Sequence, residues 1–461
     1  MGARSWGIAG ANLERGPWIR VAPDRWRLGR GLRRKPTGRS NRDGIPEWAP
    51  GGPRLCTARR ASQEKKRPPN RTYGRELGKI VRLQEGEIIL ELAHEAGFEL
   101  AGLTPLAPPP DAGRFQAWLE DGCHADMAWL ERQAEHIVAP HFQLESGSWM
   151  LVLGLPHARP QREQPGGGRI ARYALGRDYH NVLGRRLRKL ARELSDRNLI
   201  RRSRKVVDAG PLLERSHARA AGIGFSSKAG NLLHRRFGPW LFLGELAFES
   251  TAKIAEPDPE APRGPDALGS CGTCRACLDA CPTQAITEPG RVDARLCLSY
   301  QTIENRGTIP HDLRAPLDDW VFGCDVCSEV CPFGSRAPDA SATFGEHPAL
   351  DGARLADWFE LGSQSEFEQR FEGSPLRRPR RSGLLRNAAM VLGNRPSDPG
   401  RRALEGALED AEPQVRAAAV WGILVGHGEE TLARGAAERA ADRETDAGAL
   451  ADMRESLDRL G

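Results

Sequence analysis

Eight of the ten cysteines in this 461-residue chain lie between positions 271 and 331, in a spacing suited to two 4Fe-4S clusters. The first group reads Cys271-Gly-Thr-Cys274-Arg-Ala-Cys277-Leu-Asp-Ala-Cys281-Pro282. The second reads Cys324-Asp-Val-Cys327-Ser-Glu-Val-Cys331-Pro332, with Cys297 alone upstream. Three closely spaced thiolates wrap one cubane, and the fourth, followed by proline, points to the neighbouring cluster. That crossing assigns Cys271, Cys274, Cys277 and Cys331 to cluster one and Cys281, Cys297, Cys324 and Cys327 to cluster two. Zinc ribbons use paired knuckles rather than triple runs, and disulfide frameworks belong to short secreted chains. The expected chemistry is one-electron transfer in a reducing cytoplasm.

The rest of the chain must position these ligands. It is long enough for two or three domains, and a hydrophobic content of 39% suits a soluble protein. The apolar run Trp149-Met-Leu-Val-Leu-Gly-Leu155 has the length of a strand and falls short of a membrane span. The net charge of +6 is unevenly spread: residues 1 to 80 hold 20 Lys+Arg against 6 Asp+Glu, leaving 47 against 55 in the remainder. Overall basicity is therefore no argument for a nucleic-acid partner. Residues 1 to 80, rich in Arg, Gly and Pro, lack apolar periodicity and read as a disordered basic extension without a secretory h-region. A nucleic-acid-binding tail and a transit peptide are alternatives to the preferred reading, a start codon placed too far upstream. No Met lies between Met1 and Met127, so a start near residue 81 would use another codon. Cys56 falls in this segment and is assigned no role.

From Glu87 the pattern becomes that of a folded domain. Glu87-Ile-Ile-Leu-Glu-Leu-Ala-His-Glu-Ala-Gly97 has helical spacing with a glycine stop, and Glu99-Leu-Ala-Gly-Leu103 follows as a strand. Helix and strand signals then alternate through 149–155, Tyr179 to Ser195 and Lys205-Val-Val-Asp208, which predicts an α/β or α+β domain over 81–255. A Pro-rich linker, Glu256 to Pro265, leads into a ferredoxin-like double-cluster domain over 256–340, followed by a connection over 341–383. Two Ala-rich amphipathic segments, 384–393 and 410–424, predict a HEAT-like helical repeat over 384–461, a partner-binding architecture. Arg377, Arg378, Arg380, Arg381 and Arg386 just before and within it form a local basic patch that suits phosphate contact, with a merely solvated charge run as the alternative.

The electrons have about 170 residues of preceding domain as a destination, yet no G-x-G-x-x-G or Walker loop identifies a nucleotide site. Further motifs are Arg172-Tyr-Ala-Leu-Gly-Arg-Asp-Tyr-His180, Val207-Asp-Ala-Gly-Pro-Leu-Leu-Glu-Arg215, Ala221-Gly-Ile-Gly-Phe225 and Phe237-Gly-Pro-Trp-Leu-Phe-Leu-Gly-Glu245. Together with the cysteine groups, over residues 85 to about 440, the chain resembles the epoxyqueuosine reductase family. The resemblance implies a cobalamin-binding reductase domain like that of reductive dehalogenases, beside two 4Fe-4S clusters, and a HEAT-like domain that engages tRNA. The implied reaction is the last step of queuosine synthesis, in which the epoxide on the modified anticodon base becomes an alkene and water leaves.

The resemblance places the catalytic acid at Asp208, a carboxylic acid able to supply the proton where burial keeps it protonated; the residues alone would favour a turn cap there. It places cobalamin contacts at Arg172, Tyr173, Asp178, Tyr179, His180 and Lys228, and at Ser299, Asp325 and Val326 beside cluster-two cysteines, with no His ligand to cobalt. Three departures from the family pattern fall near the expected cleft: Ile137 in place of an arginine, Ala229 in place of an asparagine, and Pro156-His157. Cys123 beside His124 reads as a free thiol rather than a nucleophile. The expected partners are tRNA carrying epoxyqueuosine and an external electron donor, with no membrane and a monomeric cytoplasmic chain. A cobalamin reductase acting on another substrate, such as an organohalide, and a non-enzymatic electron carrier are the competing functions.

Overall fold

Four strands, the central two with long apolar runs, build the sheet that carries the N-terminal part: β1 (Leu100–Pro105), β2 (Trp149–Pro156), β3 (Ile200–Val206) and β4 (Leu241–Ser250). This computed structural model describes residues 85–162, 167–208, 210–255 and 269–460. The expectations for residues 1 to 80, Cys56 included, and for the linker from Glu256 lie outside the described residues. The strand order is β1-β2-β4-β3 and every pairing is antiparallel, so of the two expected classes the sheet is α+β. Every residue of β2 and all but the ends of β4 are buried, because helices cover both faces of the two central strands. The edge strand β3 instead carries exposed Arg201, Arg202, Arg204 and Lys205, charges that discourage edge-to-edge pairing.

Helices α1 (Glu85–Glu95) and α2 (Tyr179–Asp196) lie on one face. The leucines of α2 at 183, 187, 190 and 194 recur at helical spacing and pack with Leu151, Leu153 and Leu246 of the sheet. Each such burial contributes about 1.5–3 kcal/mol. Asp178 caps α2 by accepting the His180 amide at 2.9 Å. The short helix α3 (Glu214–Ala220) covers the other face, where Met150, Val152, Val206 and Leu243 pack with Ala218. Gly102 makes this close approach possible, since a Cβ there would stand 2.2 Å from the carbonyl oxygen of Ala221. The register aligns Gly102, Val152, Glu245 and Val206 in one row across all four strands, on the side facing α3.

Short helices carry the cysteine segment: α4 (Ala276–Ala280), α5 (Leu298–Ile303), which begins just after Cys297, and α6 (Val326–Glu329). The C-terminal end from Arg380 is built of α7 (Arg380–Asn394), α8 (Asp398–Ala407), α9 (Pro413–His427), α10 (Thr431–Arg443) and α11 (Ala447–Leu460). The two amphipathic segments of the sequence are α7 and α9. One apolar core runs from Leu298 and Ile303 of α5 through Trp358 and Leu384 to Met453 of α11, crossing the boundaries drawn at 341 and 384. The helical end is thereby packed onto the cysteine segment. Among the described residues no helix is long and apolar enough to cross a membrane.

Candidate active site

The C-terminal ends of β2 and β3 and the start of β4 meet at one end of the sheet, and the chain leaving each contributes to a cleft. Its volume is about 440 Å³, within the range of small-molecule sites. Asp208 from the end of β3, Glu214 of α3 and Tyr179 of α2 line it, as do Cys281, Cys297, Cys324 and Cys327. The cysteines expected to hold cluster two and the expected acid therefore open onto the same space.

Asp208 sits at φ +55°, a left-handed conformation uncommon for a non-glycine residue. Its amide donates to Glu214 Oε1 at 2.6 Å, which holds that conformation. Its carboxylate accepts from the Tyr179 hydroxyl and faces His180 Nε2 at 3.4 Å. The Tyr179 ring stacks on Phe242 at 4.3 Å and on His180 at 4.2 Å, and His180 Nδ1 meets Asp178 at 2.8 Å. The Asp208 side chain is 58% exposed, so desolvation in the cleft is a weak pull toward the neutral acid, and the hydrogen bonds from His180 and Tyr179 hold the carboxyl below its ordinary range. The condition for a neutral acid, enclosure away from water, is not met at Asp208. Burial also opposes charge on His180, but its hydrogen bonds to Asp178 and Asp208 raise it to about 9. The proton of this pair resides on the imidazole.

The other expected contacts divide. Tyr173, Tyr179, Ser299, Asp325 and Val326 line the cleft. Arg172 acts from behind it: its amide donates to Asp325 at 2.7 Å and its guanidinium pairs with Glu329 at 3.0 Å. Asp178 is a helix cap and a brace for His180. Lys228 points elsewhere than expected, since its ammonium bonds the carbonyls of Gly272 and Cys274, both at 2.8 Å, in the loop of the first cysteine group. Ile137 is packed in the interior and does not line the cleft, whereas Ala229 and His157 do. The buried Cys123 thiol accepts from Arg291 at 3.4 Å, and His124 pairs with Glu131 instead.

The basic patch also divides. Arg377, Arg378 and Arg380 are exposed. Arg381 is buried against Asp410, at 2.9 Å through Nη1, and Arg386 is wholly buried. Arg386 donates to the carbonyls of Gln301 at 2.7 Å and Asn305 at 3.1 Å, joining α7 to the segment after Cys297. A long charged side chain in an α-helix reads as solvated until its neighbours are known, so neither residue is available to phosphate as the sequence suggested.

Two acidic residues escaped sequence reasoning. Glu214 lines the cleft, and Glu245 lies beneath it in the middle of β4 with no exposure. The signal was present: a carboxyl within the apolar run Leu241-Phe-Leu-Gly-Glu-Leu-Ala-Phe248 has no reason to be there on packing grounds.

A cysteine-rich segment of this spacing, opening onto a cleft with titratable groups, defines an iron-sulfur oxidoreductase. Residues 270–334 match the family described as 4Fe-4S double cluster binding domain, and residues 140–209 match epoxyqueuosine reductase QueG, DUF1730. The chain is 37% identical over 349 residues to the epoxyqueuosine reductase of Xanthomonas campestris, covering 74% of this chain and 95% of that protein. It is 36% identical to that of Pseudomonas aeruginosa, covering 74% and 94%. The chain belongs to the epoxyqueuosine reductase family. Its fold matches a crystal structure of epoxyqueuosine reductase with an epoxyqueuosine-modified tRNA-Tyr stem loop, at TM-score 0.72 and 25% identity, covering 81% of this chain and 98% of that one. The enzyme from Streptococcus thermophilus matches at TM-score 0.68 and 25% identity over the same shares.

Proposed function

We propose that this chain reduces epoxyqueuosine in tRNA to queuosine in the cleft that Asp208 shares with Cys281, Cys297, Cys324 and Cys327. That shared space is the observation that carries the reading. Cluster one is held by Cys271, Cys274, Cys277 and Cys331, cluster two by Cys281, Cys297, Cys324 and Cys327, and an external donor recharges them one electron at a time.

The reaction takes two electrons and two protons, breaks both carbon–oxygen bonds of the epoxide, forms a carbon–carbon double bond and releases water. Asp208 delivers a proton to the departing oxygen, drawing on protonated His180, while Tyr179 fixes the carboxylate by its hydroxyl. Cobalamin suits the lining, because Tyr173, Trp240 and Phe242 offer ring surface and His157, driven by burial down to about 3, stays neutral. Tyr173, Ser299, Asp325 and Val326 would hold it, and it would supply a strong nucleophile at carbon when bound. Exposed Arg378 carries the substrate's phosphate, with Arg377 and Arg380; its charge is felt by Asp208 and Tyr179, which supports a position at the mouth of the site. The helices from α7 onward form a HEAT-like surface for the same RNA.

The test is anaerobic reconstitution of residues 81–461 with iron, sulfide and cobalamin, followed by mass spectrometry of tRNA carrying epoxyqueuosine. Conversion to queuosine is expected; intact clusters and bound cobalamin without conversion would overturn the reading.

A further inference from the structure

Removing the epoxide oxygen as water consumes two protons, and the Asp208–His180 pair holds one. The second lies on the other side of Asp208. Glu245 is wholly buried at the centre of the row on β4, flanked in register by Val152 and Val206, and its carboxyl oxygens meet no hydrogen-bond donor. The group it faces is the Glu214 carboxyl on α3. Where one of two neighbouring carboxyls is wholly buried, a shared proton is favoured over two charges.

We propose that Glu214 and Glu245 share a stored proton and deliver it, through the cleft-lining Glu214, as the second proton of the reduction. This rests on the reading of the cleft given above. Electrons reach the substrate carbons as the carbon–oxygen bonds break; the first proton from the Asp208 side gives a hydroxyl, and the Glu214 proton converts it to leaving water. The charged neighbours favour storage. From the end of β3, Asp208 adds a like charge, and Arg215 on α3 is the cation that tempers Glu214. His217, also on α3, is held neutral by burial, and β1 and β2 present Gly102 and Val152 to this row. Burial and then the Asp208 charge raise Glu214 to about 7, and burial and then the Glu214 charge raise Glu245 well above its ordinary value, so the pair retains a proton across the neutral range.

Glu214→Gln, Glu214→Leu and Glu245→Gln, as full-length reconstituted enzymes, separate storage from positioning. Glu214→Gln keeps a side-chain oxygen for the Asp208 amide but carries no transferable proton; Glu214→Leu loses both. Single-turnover rates at pH 8 are expected to fall at least tenfold in both glutamine variants. The alkaline limb of the Glu245→Gln profile should move to lower pH, because the proton is then held by Glu214 alone and no longer shared between two carboxylates. Infrared difference spectra of the wild type should show a protonated-carboxyl band that shifts in D2O and disappears in Glu245→Gln. Should Glu214→Gln match the wild type while Glu214→Leu is slow, Glu214 only positions Asp208 and the proposal falls. It falls equally if Glu245→Gln keeps the wild-type rate, profile and band. If Glu245→Gln does not fold, Glu214→Gln decides alone. A wild type without conversion refutes the reading of the cleft instead.

Discussion

The Tyr179 hydroxyl donates to the Asp208 carboxylate while the same ring is clamped between Phe242 and His180. A donor fixed in this way keeps Asp208 ionised between turnovers and aims one of its oxygens. Tyr179→Phe should raise the Asp208 pKa and slow single turnover about tenfold. Asp208→Asn should slow it by about 10²–10⁴, the usual worth of a positioned acid, with both clusters retained. Rates against pH and cluster absorbance are the measurements; unchanged kinetics in Asp208→Asn would remove it from the chemistry.

His180 sets the alkaline side of this pair. Its folded pKa of about 9 lies above the ordinary 6.5, so its ion pair contributes fully below about 6.5 and is lost as pH rises through about 9. Turnover should fall across that upper interval, and His180→Gln should remove the step near pH 9, leaving the limb set by the Glu214–Glu245 pair and the iron content intact. A pH titration of both enzymes checks it.

Arg386 and Arg378 should behave oppositely. Arg386→Ala strands buried carbonyls of Gln301 and Asn305, and is expected to destabilise the fold by about 3 kcal/mol. Arg378→Ala breaks only an exposed pair with Glu304 at 2.9 Å, leaving the melting temperature nearly unchanged. It should weaken tRNA binding and lower the salt slope by about one. Calorimetry and salt-dependent binding distinguish the two.

Lys228 bridges two carbonyls of the first cysteine loop, so Lys228→Ala should loosen cluster one without weakening cobalamin binding. Faster loss of iron in air, with an unaltered cobalamin titration, is the expected result. Reduced cobalamin affinity at normal cluster lifetime would return Lys228 to the cleft.

Cys297→Ser removes a cluster-two ligand and should cut bound iron by about half, with one cluster's magnetic signal surviving. Iron analysis and electron paramagnetic resonance of the reduced protein read this directly.

Much of this was legible in the chain itself. Cysteine spacing is a local property, because ligands two or three residues apart must bend around one cluster wherever the loop lies, and the family match rests on contiguous motifs. The strand at 149–155 and the amphipathic helices at 384 and 410 were visible for the same reason: their periodicity is written into neighbouring residues. What required the tertiary structure was anything depending on who faces whom. Arg381 and Arg386 read as surface charges until α7 was packed against Asp410 and the carbonyls after Cys297. Asp208 read as a turn cap or a catalytic acid, and its charge state could not be read until Tyr179 and His180, 29 and 28 positions earlier, were brought to its carboxylate. Glu245 meets Glu214 only because α3 folds back over the sheet. Protonation and ion pairing are set by through-space neighbours and by exclusion of water, and sequence order encodes neither until the chain has closed on itself.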